Sequence, residues 1–384
     1  MPVKYDVAVL GLGAMGAATA WRAAARGASV VGVEQFTPGH ARGSSHGGSR
    51  IYRQTLFEGI EYVPLARRAF ELWTDLETET GTPLFRRTGG LCIGPEDGPL
   101  VRDALRCAQE GDVEVELLDA AELRERFPQH ALLPGDVGVL EPGAGSLNPE
   151  ACVRGMADRA TSLDARLMFE TVVDRLEHDD SGVRVHVGDE VIHARRAVLA
   201  TGCWFTDLVP ELGLPLRAQR SPLVWFRGAD QAAYGPERFP TFIRESGDLD
   251  GWGIPDVDGR GVKVGAGPSL DKPFLDHASE NVRPIGPEDT DRSERFVARA
   301  FPGLEPRAVD AVPCMNSKSP DGDFVIGTPA SAPSLVLAGG FSGHGFKHSA
   351  AVGETCADLA LDGGSPLAAE RFSPDRFATA GAGR

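Results

Sequence analysis

The run Val7-Ala8-Val9-Leu10-Gly11-Leu12-Gly13-Ala14-Met15-Gly16 decides the fold. Four consecutive apolar residues predict a short buried strand, and three glycines spaced G-x-G-x-x-G follow without a gap. Ala17 to Arg26 is alanine-rich and helix-favouring, and a second apolar strand, Ser29 to Val33, ends at Glu34. Together they form one βαβ unit. Gly11, Gly13 and Gly16 allow a tight turn and close approach of a pyrophosphate, whose charge lies at the helix N-terminus beside Ala14 and Met15. Glu34 stands about 20 residues beyond the glycines, where a carboxylate accepts from an adenosine ribose and its charge opposes a 2′-phosphate. A chance glycine turn would lack this combination of strand, helix and acid. The fingerprint does not choose between flavin and nicotinamide dinucleotides.

A chain of 384 residues exceeds the size at which one core usually stops growing, so two connected domains are expected. The net charge of −16 argues against attraction to nucleic acid or to an anionic membrane, so an anionic substrate needs a local positive cluster. The first residues run straight into a strand without a secretory pattern, and no apolar run is long enough to span a membrane; the chain is read as cytoplasmic. Cys92, Cys107, Cys152, Cys203, Cys314 and Cys356 are scattered, without CxxC spacing. That suits reduced thiols and no metal site.

Later segments favour the flavin. Thr171-Val172-Val173 opens a strand-rich stretch in which Val183, Val185 and Val187 alternate with polar residues, leading to Arg196 to Gly202. A strand ending in Ala200-Thr201-Gly202 resembles the second nucleotide-contacting segment of two-domain FAD proteins, with Val173 and Gly202 nearest the cofactor. Leu335 to Gly340 is a further apolar strand, and Val352 to Leu361 reads as a helix. Between Gly39 and Arg53 lies a glycine- and serine-rich segment, Arg42-Gly43-Ser44-Ser45-His46-Gly47-Gly48-Ser49-Arg50, whose small residues admit a cofactor and whose His46, Arg50 and Arg53 supply positive charge. A solvated basic loop is the plainer reading of that segment. Tyr62, Leu65, Ala66, Ala69, Leu72 and Trp73 recur with the helical period, as a core face. The expected fold is α/β with two domains: a discontinuous Rossmann-type FAD-binding domain (1–84, 145–215, 325–384) and an interleaved antiparallel-sheet substrate domain (85–144, 216–324).

These pieces, in this order over nearly the whole chain, resemble the monomeric sarcosine oxidase and N-methyltryptophan oxidase family. The resemblance is carried by the fingerprint, by Ser44 to Arg50, by Glu61-Tyr62-Val63-Pro64-Leu65-Ala66, by Cys314-Met315 and by Gly340-Phe341-Ser342-Gly343-His344-Gly345-Phe346-Lys347. It implies FAD attached through a thioether at Cys314, Lys263 over the flavin as the group that activates O2, and Arg53 with Lys347 as the pair holding a substrate carboxylate. It further implies that His46 and Arg50 pack near the ring and that Gly340, Gly343, His344 and Gly345 form a flavin loop. Each position also has a plainer reading, as an inert thiol, a surface lysine or a structural cation. The chain departs from sarcosine oxidases at Gly267, where they have histidine, and at Trp252 and Asn316, where they have tyrosine. Sarcosine itself is therefore in doubt, and removal of the imidazole is expected to free volume for a bulky N-methyl amino acid or a cyclic one.

The expected function is oxidation of a small carboxylate-bearing amine by a monomer using O2, with hydrogen peroxide as product. A dehydrogenase or biosynthetic desaturase with another acceptor, and a catalytically silent nucleotide-binding protein, are the alternatives.

Overall fold

The computed structural model describes residues 4–267 and 272–381. Strands β1 (Lys4–Leu10), β2 (Val30–Val33), β3 (Arg166–Met168), β4 (Glu190–Leu199) and β5 (Leu335–Gly339) form a parallel sheet in the order β3-β2-β1-β4-β5. Val7 to Leu10 are fully buried, as unbroken apolar strands are when a parallel sheet is covered on both faces. Val325–Gly327 adds an antiparallel edge beside β5, and the hairpin Arg175–Asp179 with Gly182–Val187 pairs with the first half of β4. The strands therefore begin after Asp174. Thr171, Val172 and Val173 are irregular, because the Thr171 amide bonds to the Glu34 carbonyl at the edge of the nucleotide unit instead of entering a ladder.

Helices α1 (Ala14–Ala25), α2 (Val63–Thr80), α3 (Pro149–Ser162) and α4 (Ser349–Asp362) carry the other half of this core. The small faces of α1 and α4 meet closely, and a side chain on Gly353 would strike the Ala18 backbone. The apolar stripe of α2 is buried as its period predicts, and Gly81 ends the helix at φ 65°. No helix among the described residues is long and apolar enough to cross a membrane.

A second sheet runs Asp310–Val312, Leu223–Phe226, Val262–Ala266, Leu249–Ile254, Thr241–Ser246, Gly90–Pro95, Asp136–Glu141, Glu116–Leu118. Neighbours are antiparallel except Thr241–Ser246 beside Gly90–Pro95, which is parallel. One face packs on Phe226, Phe239, Phe242, Phe296 and Phe301. Alternation along the strands sends Trp225, Lys263 and Trp252 to the other face, Trp225 pairing with Lys263 and Trp252 with Gly265.

Beside the phenylalanine core the fully buried Arg244 donates to Asp136 at 2.7 Å, and Asp136 also receives Ser246 and the Leu133 amide. Removing one partner of a buried pair strands the other charge, which typically costs about 3–5 kcal/mol. Asp136→Ala is expected to lower stability by that order in denaturant titration, and the double variant with Arg244→Met to recover part of the loss.

Candidate active site

A cavity of about 360 Å³ opens at the C-terminal ends of β1, β2 and β4. Its floor is the glycine turn. Gly11 has φ +85°, and a Cβ there would lie 2.7 Å from the Ala200 oxygen and 2.9 Å from Thr201 Cα. Gly16 lies beneath, too close to the Gly11 carbonyl for any side chain. Glu34 accepts the Leu12 amide at 2.8 Å and the Phe36 amide at 3.0 Å, with His40 3.5 Å away. Each carboxylate oxygen keeps a lone pair for a ribose hydroxyl. Ser45 Oγ takes the Ala14 amide at 3.2 Å, at the mouth of α1.

Gly11, Gly13, Ala14, Met15, Glu34, Gly43, Ser44, Arg50, Val173, Gly202, Asn316, Gly343 and Gly345 line the cavity. Gly16, Gly340, Cys314 and His344, expected at the cofactor, do not line it, and Arg42 lines an adjoining depression with Phe36 and Trp204. Cys203, Trp204 and Phe346 also line the cavity, and sequence reasoning missed them as contacts. Thr201 Oγ1 and His46 Nε2 are buried without a partner among the described residues. Orphaned polar atoms and a floor that only glycine fits are features a polar dinucleotide completes.

Of the cations Arg50, Lys263, Arg53 and Lys347, Arg50 lines the cavity; the other three are buried and do not line it. Lys263 is 1% exposed, and its Nζ donates to Gly47 O at 2.6 Å, Ser49 O at 2.9 Å and Ser49 Oγ at 2.6 Å. Burial, then the neighbouring Arg50 charge, pull its pKa well below that of a free lysine. Arg50 donates to Ser44 O at 2.7 Å and lies 3.7 Å from Cys314 Sγ. His46 corrects an expectation: burial, then the charges of Arg50 and Lys263, hold its pKa near 3, so it is a neutral imidazole. It contributes no positive charge.

Arg53 and Lys347, 294 residues apart in the chain by their numbering, meet at one carboxylate. It belongs to Glu58, which sequence reasoning missed. Glu58 Oε1 accepts Arg53 Nη2 at 2.8 Å and lies 3.4 Å from Lys347 Nζ, with His344 Nδ1 at 3.9 Å. Its other oxygen, Oε2, is buried and unpartnered among the described residues. Burial pushes the Glu58 carboxyl up, and Arg53 and Lys347 more than reverse this, holding it well below the usual range. Burial lowers Lys347 to about 8 against the opposing pull of Glu58, and holds His344 near 4.

Of the three altered positions, Trp252 lies across its strand neighbour, so that a Cβ on Gly265 would be 2.5 Å from the indole. Asn316 stands against Gly343 of the C-terminal loop, its Nδ2 3.2 Å from where a Cβ would be. At Gly267 the expectation of freed volume fails. A side chain there would meet the Arg292 stem, with Nη1 at 2.6 Å, so Arg292 from helix Pro287–Ala300 fills the space.

The family model described as FAD dependent oxidoreductase matches residues 6–359. The chain belongs to this family. It is 38% identical to monomeric sarcosine oxidase of Streptomyces avermitilis, over 99% of this chain and 100% of that one. It is 33% identical to N-methyl-L-tryptophan oxidase of Salmonella typhimurium, over 94% and 95%. Among solved structures, L-proline dehydrogenase from P. horikoshii superposes with a TM-score of 0.85 at 22% identity, covering 99% of both chains. The open form of an unusual amino acid oxidase essential for nikkomycin biosynthesis gives 0.83 at 24%, covering 97% of both. These two support the fold. The family oxidoreductase uses FAD, and the glycine floor, Glu34 and the cavity above them fit it.

Gly11→Val places a branched side chain at positive φ against the Ala200 carbonyl. The variant is expected to purify without bound flavin, read as loss of absorbance near 450 nm relative to 280 nm, and to keep its far-ultraviolet circular dichroism.

Proposed function

We propose that this flavoprotein oxidises the C–N bond of a secondary or cyclic amino acid to an imine, with O2 as acceptor and FAD bound covalently at Cys314. One observation carries the substrate class: a buried carboxylate, that of Glu58, already rests between Arg53 and Lys347. Paired cations of this kind replace the hydration that a carboxylate loses on entering a buried pocket. The related sarcosine and N-methyl-L-tryptophan oxidases support the amine half of the reading.

When bound, FAD accepts hydrogen and two electrons from the amine and passes the electrons to O2. The chain supplies everything else. Arg53 and Lys347 fix the carboxylate, and so aim the amine and its α carbon. Trp252 and Asn316 bound the pocket that receives the rest of the substrate. Lys263, stripped of water and held by Ser49 and Gly47, offers a fixed positive charge where oxygen gains its first electron. Arg50, 3.7 Å from the Cys314 sulfur, places a positive charge beside the atom that forms the thioether. The stretches 1–84, 145–215 and 325–384 serve as the cofactor domain and 85–144 with 216–324 as the substrate domain of a cytoplasmic monomer.

A panel of N-methyl and cyclic amino acids is expected to yield one mole of hydrogen peroxide per mole of the best substrate. Turnover with a dye acceptor but no peroxide would identify a dehydrogenase instead. Arg53→Met is expected to raise KM by about two orders of magnitude, since a buried ion pair loses one partner. Lys347 is cationic below its pKa and neutral above it, so carboxylate capture is present at neutral pH and lost upward. KM is expected to climb as pH passes about 8, and Lys347→Arg to abolish that climb.

After acid precipitation the parent's flavin is expected in the pellet and that of Cys314→Ser in the supernatant. Flavin released from both would reduce Cys314 to a core thiol.

A further inference from the structure

Lys263 is flanked by a charge pair that plays no part in the scheme above. Register places Trp225 opposite Lys263, and Nζ lies 5.1 Å from the indole centroid. The Arg260 guanidinium covers the same indole at 4.0 Å. Arg260 Nε and Nη2 hold the Asp258 carboxylate at 3.0 and 2.8 Å, and the Arg260 amide donates to it at 3.2 Å. Asp256 braces this loop by accepting the amides of Gly259 at 2.8 Å and Gly261 at 3.1 Å.

The pair presses on the lysine's cradle. A Cβ on Gly48 would run into the Asp258 carboxylate and stand 2.5 Å from Arg260 Nη2, so the ion pair rests directly on the Gly48 α carbon. The three acceptors of Lys263 belong to the residues on either side, Gly47 and Ser49. The segment is thus gripped by Lys263 from within and by Asp258 and Arg260 from outside. Both outer side chains remain partly exposed, at 24% and 33%.

The charges facing Lys263 come from every side. Arg50 and His46 lie on the glycine-rich segment, His46 being neutral. Glu150 comes from α3, Asp258 and Arg260 from the loop, and Asp310 sits 3.9 Å behind Arg260. Beyond the effect of burial, Arg50 and Arg260 oppose a charged Lys263, while Asp258 and Glu150 favour it.

We propose that Asp258 and Arg260 are a positioning pair for the oxygen step: they hold the Gly47–Ser49 cradle against Lys263 and balance the charge beside its ammonium. The proposal rests on the assignment of Lys263 to O2. Its distinguishing consequence is that the two residues act with opposite sign. Lys263 must be charged to stabilise developing superoxide, so reoxidation declines as rising pH removes its proton. Asp258→Asn withdraws a favourable neighbour and brings the decline to lower pH. Arg260→Leu leaves Asp258 uncompensated and postpones it.

The test uses holoenzyme reduced anaerobically with substrate and then mixed with O2 across a pH series. Anaerobic reduction by Asp258→Asn, Arg260→Leu and Arg260→Lys is expected to match the parent. On the declining limb, with each protein normalised to its own neutral-pH rate, Asp258→Asn is expected to reoxidise about threefold more slowly than the parent. Arg260→Leu is expected to be about threefold faster, and Arg260→Lys to restore the parent profile; threefold corresponds to about half a unit of displacement. Shifts in the same direction, or none, would overturn the proposal and leave the pair a structural contact. Lys263→Met, run in parallel, separates the two failures. If it slows reduction as much as reoxidation, the oxygen role of Lys263 falls. If reoxidation alone collapses while Asp258→Asn and Arg260→Leu follow the parent, only the positioning role falls.

Discussion

The backbone of Gly43–Ser49 enters no strand ladder, and its hydrogen bonds tie the molecule together. Buried amides must find partners, and these find them in unrelated elements. Glu150, at the start of α3, takes the Gly47 amide at 2.6 Å and the Gly48 amide at 3.1 Å. Lys263 takes the carbonyls of Gly47 and Ser49 from the second sheet. Ser45 meets the first amide of α1, and Ser44 Oγ donates to Met315 O at 2.6 Å. The nucleotide turn, the cysteine strand and the lysine strand are therefore positioned against one another through this segment. Gly47 and Gly48 both have positive φ and neighbours that exclude a side chain, which is why the segment is so poor in larger residues.

Positive charge is gathered inside an acidic protein. Lys263, Arg53 and Lys347 are each at most 5% exposed, and none is a solvated cation. Two solutions to burial operate side by side. Lys263 is held by neutral acceptors, two carbonyls and a hydroxyl, so its charge is not cancelled and remains available to an anion. Arg53 and Lys347 instead share the single carboxylate of Glu58, which offsets one of their two charges until another carboxylate arrives. In a medium of low effective dielectric, that difference separates a site that stabilises a developing charge from one that exchanges a permanent one.

How much of this was legible in the sequence follows from the range of each signal. The βαβ unit was readable because strand, turn, helix and acid are contiguous, and each has its own periodicity or composition. The inward direction of Lys263 was readable from its valine neighbours, since strand alternation is local. Glu58 was not readable: an acid in Phe57-Glu58-Gly59 has no pattern, and its role exists only because Lys347 is brought to it from the far end of the chain. The charge state of His46 was misjudged because residue type indicates a possible cation, whereas burial beside Arg50 and Lys263 decides against it. Gly267 failed similarly. Loss of a side chain in sequence says nothing about which neighbour moves in, and Arg292 lies 25 positions away by numbering.

Glu58 also bears on selectivity under the proposed function. An empty pocket with two buried cations would cost several kcal/mol in uncompensated charge, so an internal carboxylate is the stable resting arrangement. Substrate capture then exchanges one carboxylate for another at the same two cations, and the carboxylate contributes only the difference between the two arrangements. Discrimination among carboxylate-bearing amines then falls to the remainder of the substrate, at the walls formed by Trp252, Asn316 and the Arg292-filled space beside Gly267. Those are the positions at which the sequence is read as departing from the sarcosine oxidases, and Arg53 with Lys347 those at which it is read as matching them. An anchor that any carboxylate-bearing amine can use lets the pocket walls change the substrate without disturbing how its reacting carbon is aimed.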